Sequence, residues 1–328
     1  MADLPQLPGR AYRHRFEGPF YRRLLLGGVR YLPEPVQRLS MPLWGGLFYG
    51  LLPEARRTAE RNLDQVLGPA PTLVRRLRCL HLFINYAQSL TDSYATHVGR
   101  RPLVPESEGR HRLLAALTRG RGVIATTGHL GLWQIGPFLA SWRELPPFYM
   151  AMAEEPNPLV QAFEQRFRSR FRIVYTTGSP FSSLGLLQVL RQGAIVGMQM
   201  DRHVGGKAVA LPFCGRPAWF SLGPATLARL SGAPLIPNFF VVEPNPWAPC
   251  RRALHIVEEP IHVPRTADRE GDIRSATERL VAVYERFVRR YPLQWYHFHD
   301  FWEQPGRDTQ ATAARSGQEA GRSVGRSL

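Results

Sequence analysis

Short apolar runs recur between residues 110 and 260, at Val123–Thr127, Pro147–Met152, Arg172–Tyr175, Ala194–Met200 and Leu235–Val242. Helical patterns separate them, near Trp133–Ser141, Pro158–Arg170, Ser182–Arg191 and Leu222–Ser231. A strand that is apolar along its whole length needs cover on both faces, and strands alternating with helices supply that cover through parallel crossovers. The alternation therefore predicts an α/β fold: a mostly parallel central sheet flanked by helices.

The flanks read differently. Residues from about 12 to 100 look helical, with breaks near Pro33-Glu34-Pro35, Pro53 and Pro69-Ala70-Pro71. A helix is expected near Asp272–Arg290, followed by the aromatic-rich segment Trp295–Trp302. From Gln304 the chain is rich in Gly, Ser, Arg and Gln, which predicts a disordered tail. The expected organisation is a helical region over 1–100, an α/β core over 101–303 and a tail over 304–328.

The opening run of the core ends in Gly128-His129, and a helix-like pattern (Leu132, Trp133, Ile135, Phe138, Leu139) follows at once. His129 is thereby placed at the carboxyl end of a strand, where open α/β sheets bind ligands. It also lies near an expected helix N-terminus, whose partial positive charge would keep the imidazole neutral, as a general base requires. From this segment alone, a histidine hydrogen-bonded in a structural turn is the slightly favoured reading. Asp201 ends another apolar run, Ala194–Met200, 72 residues on. Crossovers between parallel strands can bring both residues to one edge of the sheet. A carboxylate on one ring nitrogen would fix the tautomer and favour the imidazolium, although a turn or capping aspartate would read the same way.

Other chemistries find little support. Ser221 lies in Trp219-Phe220-Ser221-Leu222-Gly223, which lacks the leading glycine of a nucleophile elbow. Three cysteines, Cys79, Cys214 and Cys250, show no CxxC spacing and suggest a reducing compartment without a disulfide framework. His297 and His299 stand on one face of a presumed strand, but the pair is a weak metal signal and no metal site is expected. No Walker loop or GxGxxG opens a helix.

The net charge of +16 is carried almost wholly by arginine, since Lys207 is the single lysine among 42 basic residues. Such a surface suits phosphate, and hence nucleic acid or anionic lipid. No nucleic-acid reader motif is present, so a nucleic-acid partner is not expected. Near the N-terminus Arg13, Arg15, Arg22, Arg23 and Arg30 alternate with Phe16, Phe20, Tyr21, Leu24, Leu25 and Val29, a mixture that suits either core packing or a helix in the membrane interface. The uncharged stretch Met41–Leu52 is too short to span a bilayer, which needs about 20 apolar residues.

Several of these segments together resemble one family. Gly128-His129-Leu130-Gly131-Leu132-Trp133-Gln134 looks like the Gly-His-x4-Glu/Asp motif of the late lipid A acyltransferases, which group with phosphatidylinositol mannoside acyltransferases in the lysophospholipid acyltransferase superfamily. Arg61-Asn62-Leu63, Asn157-Pro158-Leu159 with Arg168, Asp201-Arg202, Pro212–Ala218 and Gly223-Pro224-Ala225 fall in the family's order. Gly232-Ala233-Pro234 and Pro292 with Gln294-Trp295 complete the series, over roughly residues 55–303.

The resemblance implies an acyltransferase at the inner face of the cytoplasmic membrane. It would carry a fatty acyl group from an acyl-carrier-protein or coenzyme A thioester to a hydroxyl of a lipid or glycolipid, with no other cofactor. His129 would be the general base and Asp201 its orienting counter-charge. Arg168, Asn157, Arg216 and Arg61 would hold substrate, and the basic N-terminal region would be the interfacial anchor. Two departures stand out. Gln134 occupies the position of the family carboxylate; it can accept a hydrogen bond but brings no charge. Ala153 replaces an arginine of many lipid A members, which puts a lipid A acceptor in doubt. Two outcomes follow from Gln134: Asp201 supplies the charge and Gln134 only positions, or the chain is a catalytically impaired homologue that binds lipid or acyl carrier.

Overall fold

The computed structural model describes residues 19–98, 103–138, 145–152, 171–176, 181–201, 207–243 and 252–303. The predicted helix at 158–170 and the tail beyond 303 lie outside them. Four helices open the chain: α1 (Pro19–Tyr31), α2 (Glu34–Leu51), α3 (Pro53–Leu67) and α4 (Thr72–His97). Then come β1 (Glu106–Glu108), α5 (Arg110–Leu117), β2 (Val123–Thr127), β3 (Phe148–Met152), β4 (Arg172–Tyr175), α6 (Phe181–Arg191) and β5 (Ile195–Gln199). A hairpin of β6 (Ala208–Phe213) and β7 (Arg216–Ser221) precedes α7 (Gly223–Ser231), β8 (Leu235–Glu243), β9 (Arg252–Val257) and α8 (Arg269–Arg290).

Seven strands form one sheet in the order β1-β9-β8-β2-β5-β3-β4. All neighbours run parallel except β8 and β9, which pair antiparallel. The α/β reading holds, with helices on both faces. Crossovers leave β2 toward β3 and β4, return to β5 beside it, and later place β8 on its other flank. Such a reversal opens a crevice beyond the carboxyl ends of the central strands.

The two faces of the sheet have different cover. Ile124, Val196, Leu235 and Phe239 face α7, α8 and the hairpin, in the largest apolar cluster of the described residues. Val123, Ala125, Ile195 and Ile236 face the other way, against Leu113 and Ala116 of α5. Helix α8, which crosses the first face, is capped by the Asp268 carboxylate accepting from the Gly271 N–H at 2.9 Å. Glu270 and Asp272 in its first turn and Arg289 and Arg290 in its last complement the helix dipole.

Four elements lack a sequence expectation: β1, α5, the β6–β7 hairpin and β9. The hairpin turns at Cys214-Gly215, with φ of 49° and 82°. Positive φ at both central residues is the two-residue turn that matches strand twist, and glycine carries it without strain. One expected element changes character. The segment after His129 is a 3-10 turn over Trp133–Phe138 rather than an α-helix from Trp133, and residues 139–141 lie outside the described part.

Candidate active site

Strands β2 and β5 pair from Val123↔Ile195 to Thr127↔Gln199, an offset of 72 residues. His129 and Asp201 keep that offset two residues beyond the last pair on each strand. The sheet therefore delivers the two side chains to the same point of its carboxyl edge. Gly128 makes the turn feasible, because a Cβ there would lie 2.5 Å from the ring of Tyr284.

Asp201 accepts four hydrogen bonds. One oxygen takes His129 Nδ1 at 2.8 Å. The other takes the His129 backbone N–H at 2.5 Å, the Tyr284 hydroxyl at 2.5 Å and His297 Nε2 at 2.8 Å. The carboxylate is 2% exposed and His129 5%. Burial pushes the Asp201 carboxyl up, but the His129 and His297 imidazoles and their hydrogen bonds outweigh it and hold it well below the ordinary value. An ionised carboxylate only accepts, so the ring nitrogen facing it, His129 Nδ1, is a protonated one. In the neutral ring that tautomer makes Nε2 the accepting nitrogen, as a general base requires.

A supporting layer fixes this geometry. The Tyr284 ring stacks between Phe213 at 5.6 Å and Phe239 at 6.1 Å, and its hydroxyl accepts from Trp295 Nε1 at 2.9 Å. The His129 carbonyl accepts from the Tyr296 N–H at 2.9 Å, and the His129 ring meets the edge of Trp133 at 4.9 Å. Asn62 of α3 donates to the carbonyls of His297 at 3.0 Å and His299 at 2.8 Å. Asn85 and Ser89 of α4 donate to the carbonyls of Leu293 and Gly131. The N-terminal helices thus brace the turn that carries the histidine.

The sequence-derived site residues separate into groups. His129 and Asp201 come together. Gln134 sits half-buried in the 3-10 turn, and the nitrogen it would have to orient is already bonded to Asp201. The element that follows His129 is a six-residue 3-10 turn, and the hydrogen bond to Asp201 fixes the tautomer of the ring. Arg216 is exposed on β7, its guanidinium 5.9 Å from the Trp302 ring. Arg61 is exposed on α3, 4.0 Å from Asp300, while its neighbour Asn62 makes the buried contacts of that motif. Arg168 and Asn157 lie outside the described residues. Sequence reasoning gave Tyr284 no role and saw in His297 only half of a weak metal signal. Donor atoms of His129, Asp201 and His297 lie within 4.8 Å of one another. Both ring nitrogens facing the carboxylate give it protons, so the arrangement fits a hydrogen-bonded cluster rather than a set of metal ligands.

Beside the histidine lies a small cavity of about 50 Å³, lined by Trp133 and Gly136 of the 3-10 turn and by Phe148, Met150, Gly197 and Phe240 of the sheet. A buried His–Asp pair at a sheet edge beside an apolar cavity can take up a proton next to an apolar ligand.

Residues 18–304 match the family model of bacterial lipid A biosynthesis acyltransferases. The chain belongs to this family. It is an acyltransferase. Its relatives include the phosphatidylinositol mannoside acyltransferase of Mycobacterium tuberculosis, 25% identical over 285 residues that cover 84% of this chain and 85% of the relative. The Mycolicibacterium smegmatis protein of the same name is 23% identical over 282 residues, covering 84% and 88%. Among solved structures, the 1-acyl-sn-glycerophosphate acyltransferase PlsC of Thermotoga maritima aligns with a TM-score of 0.37 at 13% identity, over 80% of this chain and 99% of that one.

Proposed function

We propose that this acyltransferase moves a fatty acyl group from an acyl-carrier-protein or coenzyme A thioester to a hydroxyl of a membrane lipid or glycolipid, with His129 as general base. His129 Nε2 takes the proton of the acceptor hydroxyl as its oxygen attacks the thioester carbonyl. The resulting imidazolium returns the proton to the departing thiolate, without a covalent acyl-enzyme. Asp201 holds the tautomer and balances the transient charge, which supports an active enzyme despite Gln134. The observation that carries this reading is the His129–Asp201 pair itself, set in register at the sheet edge of a chain from this family.

The acceptor is read as an anionic glycolipid, in keeping with relatives named for phosphatidylinositol mannoside. Arg168, Asn157, Arg216 and Arg61 are the residues proposed to meet phosphate or headgroup. Membrane association at the cytoplasmic face rests on α1 and α2. No described helix is long and apolar enough to cross a membrane. Val36, Leu39, Leu43, Leu47 and Leu51 nevertheless form one exposed stripe along α2, with Leu39 82% and Leu43 71% exposed. Leu24 and Tyr31 of α1 and Leu32 just after it extend it, with Arg23 and Arg30 exposed alongside. Apolar side chains flanked by arginine suit a helix pair lying in an anionic interface.

The test is a transfer assay with purified protein, radiolabelled acyl thioester and bacterial lipid extract. Label is expected in one lipid class, and none with His129→Ala. Absence of transfer from both donor types to any extract would reverse the conclusion in favour of a lipid- or carrier-binding homologue.

A further inference from the structure

The cavity beside Trp133 is apolar except at three positions, Thr127, Gln199 and Asn238. Asn238 Nδ2 donates to the carbonyls of Thr126 and Ile236. Thr127 Oγ1 and Gln199 Nε2 are different: both atoms are buried and neither has a hydrogen-bond partner among the described residues. A buried donor left unmade costs about 1–3 kcal/mol, so two of them in one cavity mark a place where something is meant to bind.

Their placement says what. Thr127 and Gln199 are the paired last residues of β2 and β5. Paired positions on neighbouring strands lie about 4.8 Å apart, so both side chains can reach one atom between them. An amide nitrogen only donates, so the bound atom must be an acceptor. His129 and Asp201 follow two residues later on the same strands, a rise of about 6.6 Å. That step matches two successive contacts of about 3 Å, from imidazole to acceptor hydroxyl and from hydroxyl oxygen to the carbon it attacks. The chain beyond that carbon would then run into the apolar part of the cavity, past Gly197 and Phe148.

We propose that Gln199 Nε2–H and Thr127 Oγ1–H bind the carbonyl oxygen of the acyl thioester and stabilise the oxyanion formed on it. This rests on the acyl-transfer reading above. As the acceptor oxygen bonds to the carbonyl carbon, its proton passes to His129 and the π electron pair moves onto the oxygen held by these two donors. Collapse of that oxyanion restores the C=O bond, breaks the C–S bond and releases a thiolate that takes the proton back from His129. Charge thus develops where preorganised donors already stand.

The experiment has two arms. In steady-state transfer, Gln199→Leu and Thr127→Val are each expected to lower kcat about 10²–10³-fold, the usual loss for one oxyanion donor, with little change in the KM for acceptor. Thr127→Ser, which keeps the hydroxyl, is expected to retain most of the rate. Thermal midpoints should hold or rise, because each substitution removes an unsatisfied buried group. Transfer within about threefold of wild type in both variants would overturn the proposal. In the second arm, an acyl-coenzyme A labelled with ¹³C at the thioester carbonyl is bound to His129→Ala, where turnover is blocked, and read by isotope-edited infrared. The carbonyl band should fall in frequency and return toward the free value when Gln199→Leu is added. An unshifted band in a protein that acylates lipid would sink the carbonyl site and leave the acyl-transfer reading intact. A shifted band in a protein that acylates nothing would support the site and sink that reading.

Discussion

Replacing Asp201 by asparagine tests the site where its geometry is most constrained. One carboxylate oxygen faces His129 Nδ1 and the other faces three donors, from the His129 backbone, Tyr284 and His297. Asparagine has one acceptor oxygen. The three-donor side claims it, which turns the amide NH₂ toward His129 Nδ1. That ring nitrogen must then become the acceptor, and the proton moves to Nε2, the atom that has to take the hydroxyl proton. A wrong tautomer in an otherwise intact catalytic site costs about 10⁴-fold in kcat, about 5.5 kcal/mol of barrier. The assay is acyl transfer at pH 7.5, with ¹⁵N shifts of the His129 ring reporting the tautomer independently of turnover. Gln134→Ala, which touches neither ring nitrogen, should lose far less. An Asp201→Asn enzyme within about tenfold of wild type, with the proton still on Nδ1, would refute the argument. Acid stability provides a second readout. The folded Asp201 carboxyl titrates below its unfolded value of about 3.9, so its contribution is complete above that pH and is lost as pH falls through the folded value. Asp201→Asn should remove that part of the acid sensitivity.

Asn62→Ala leaves the carbonyls of His297 and His299 without their side-chain donor and should cost about 2–4 kcal/mol in urea denaturation, with a parallel loss of transfer. A stability change below about 0.5 kcal/mol would show that α3 does not brace the site. Leu39→Asn, Leu43→Asn and Leu47→Asn combined should weaken binding to anionic vesicles about 100-fold, at about 1 kcal/mol per leucine; flotation unchanged from wild type would place the membrane face elsewhere. His255 is buried on Phe240, and burial, then the charge of Arg110, pushes its pKa down to about 3. The unfolded chain therefore binds the extra proton between about pH 6.5 and 3, and stability falls with pH in that window, by about 2 kcal/mol between pH 7 and 5. Melting of His255→Phe should show a smaller drop between those two pH values than wild type; an equal drop rules His255 out as the source.

How much of the fold was legible depends on what each segment packs against. Strands β2, β5 and β8 are covered on both faces, so they read as continuous apolar runs and their sequence limits fall within a residue of the structure. Strand β1, Glu106-Ser107-Glu108, is an exposed edge with no apolar residue, held by parallel pairing with β9 and by polar contacts of Glu106 with Arg252 and of Ser107 with His255, and nothing in its composition marks it. In the hairpin the turn falls at Cys214-Gly215, and a cysteine at positive φ is not a signal that turn chemistry leads one to expect. The 3-10 turn after His129 carries the apolar spacing of an amphipathic helix. Periodicity reports only which side chains are buried; here Ile135 packs beside Phe240 without an α-helical backbone.

The site divides along the same line. His129 and Asp201 were legible because sequence-adjacent apolar runs deliver them, and a shared offset along two neighbouring parallel strands makes their meeting a consequence of register rather than of loop conformation. Tyr284 and His297 reach the same carboxylate from a helix and from an irregular aromatic segment, and no local pattern relates a helix position to a strand end 83 residues away. This difference bears on Gln134. A carboxylate five residues after the histidine could act on it only around a turn whose backbone is 3-10 here, whereas Asp201 is fixed by the sheet, by two hydrogen bonds to His129 and by two more donors behind it. A neutral residue at position 134 is therefore compatible with a charged, oriented histidine. The residue whose loss the site cannot absorb is the one whose position the strand register dictates.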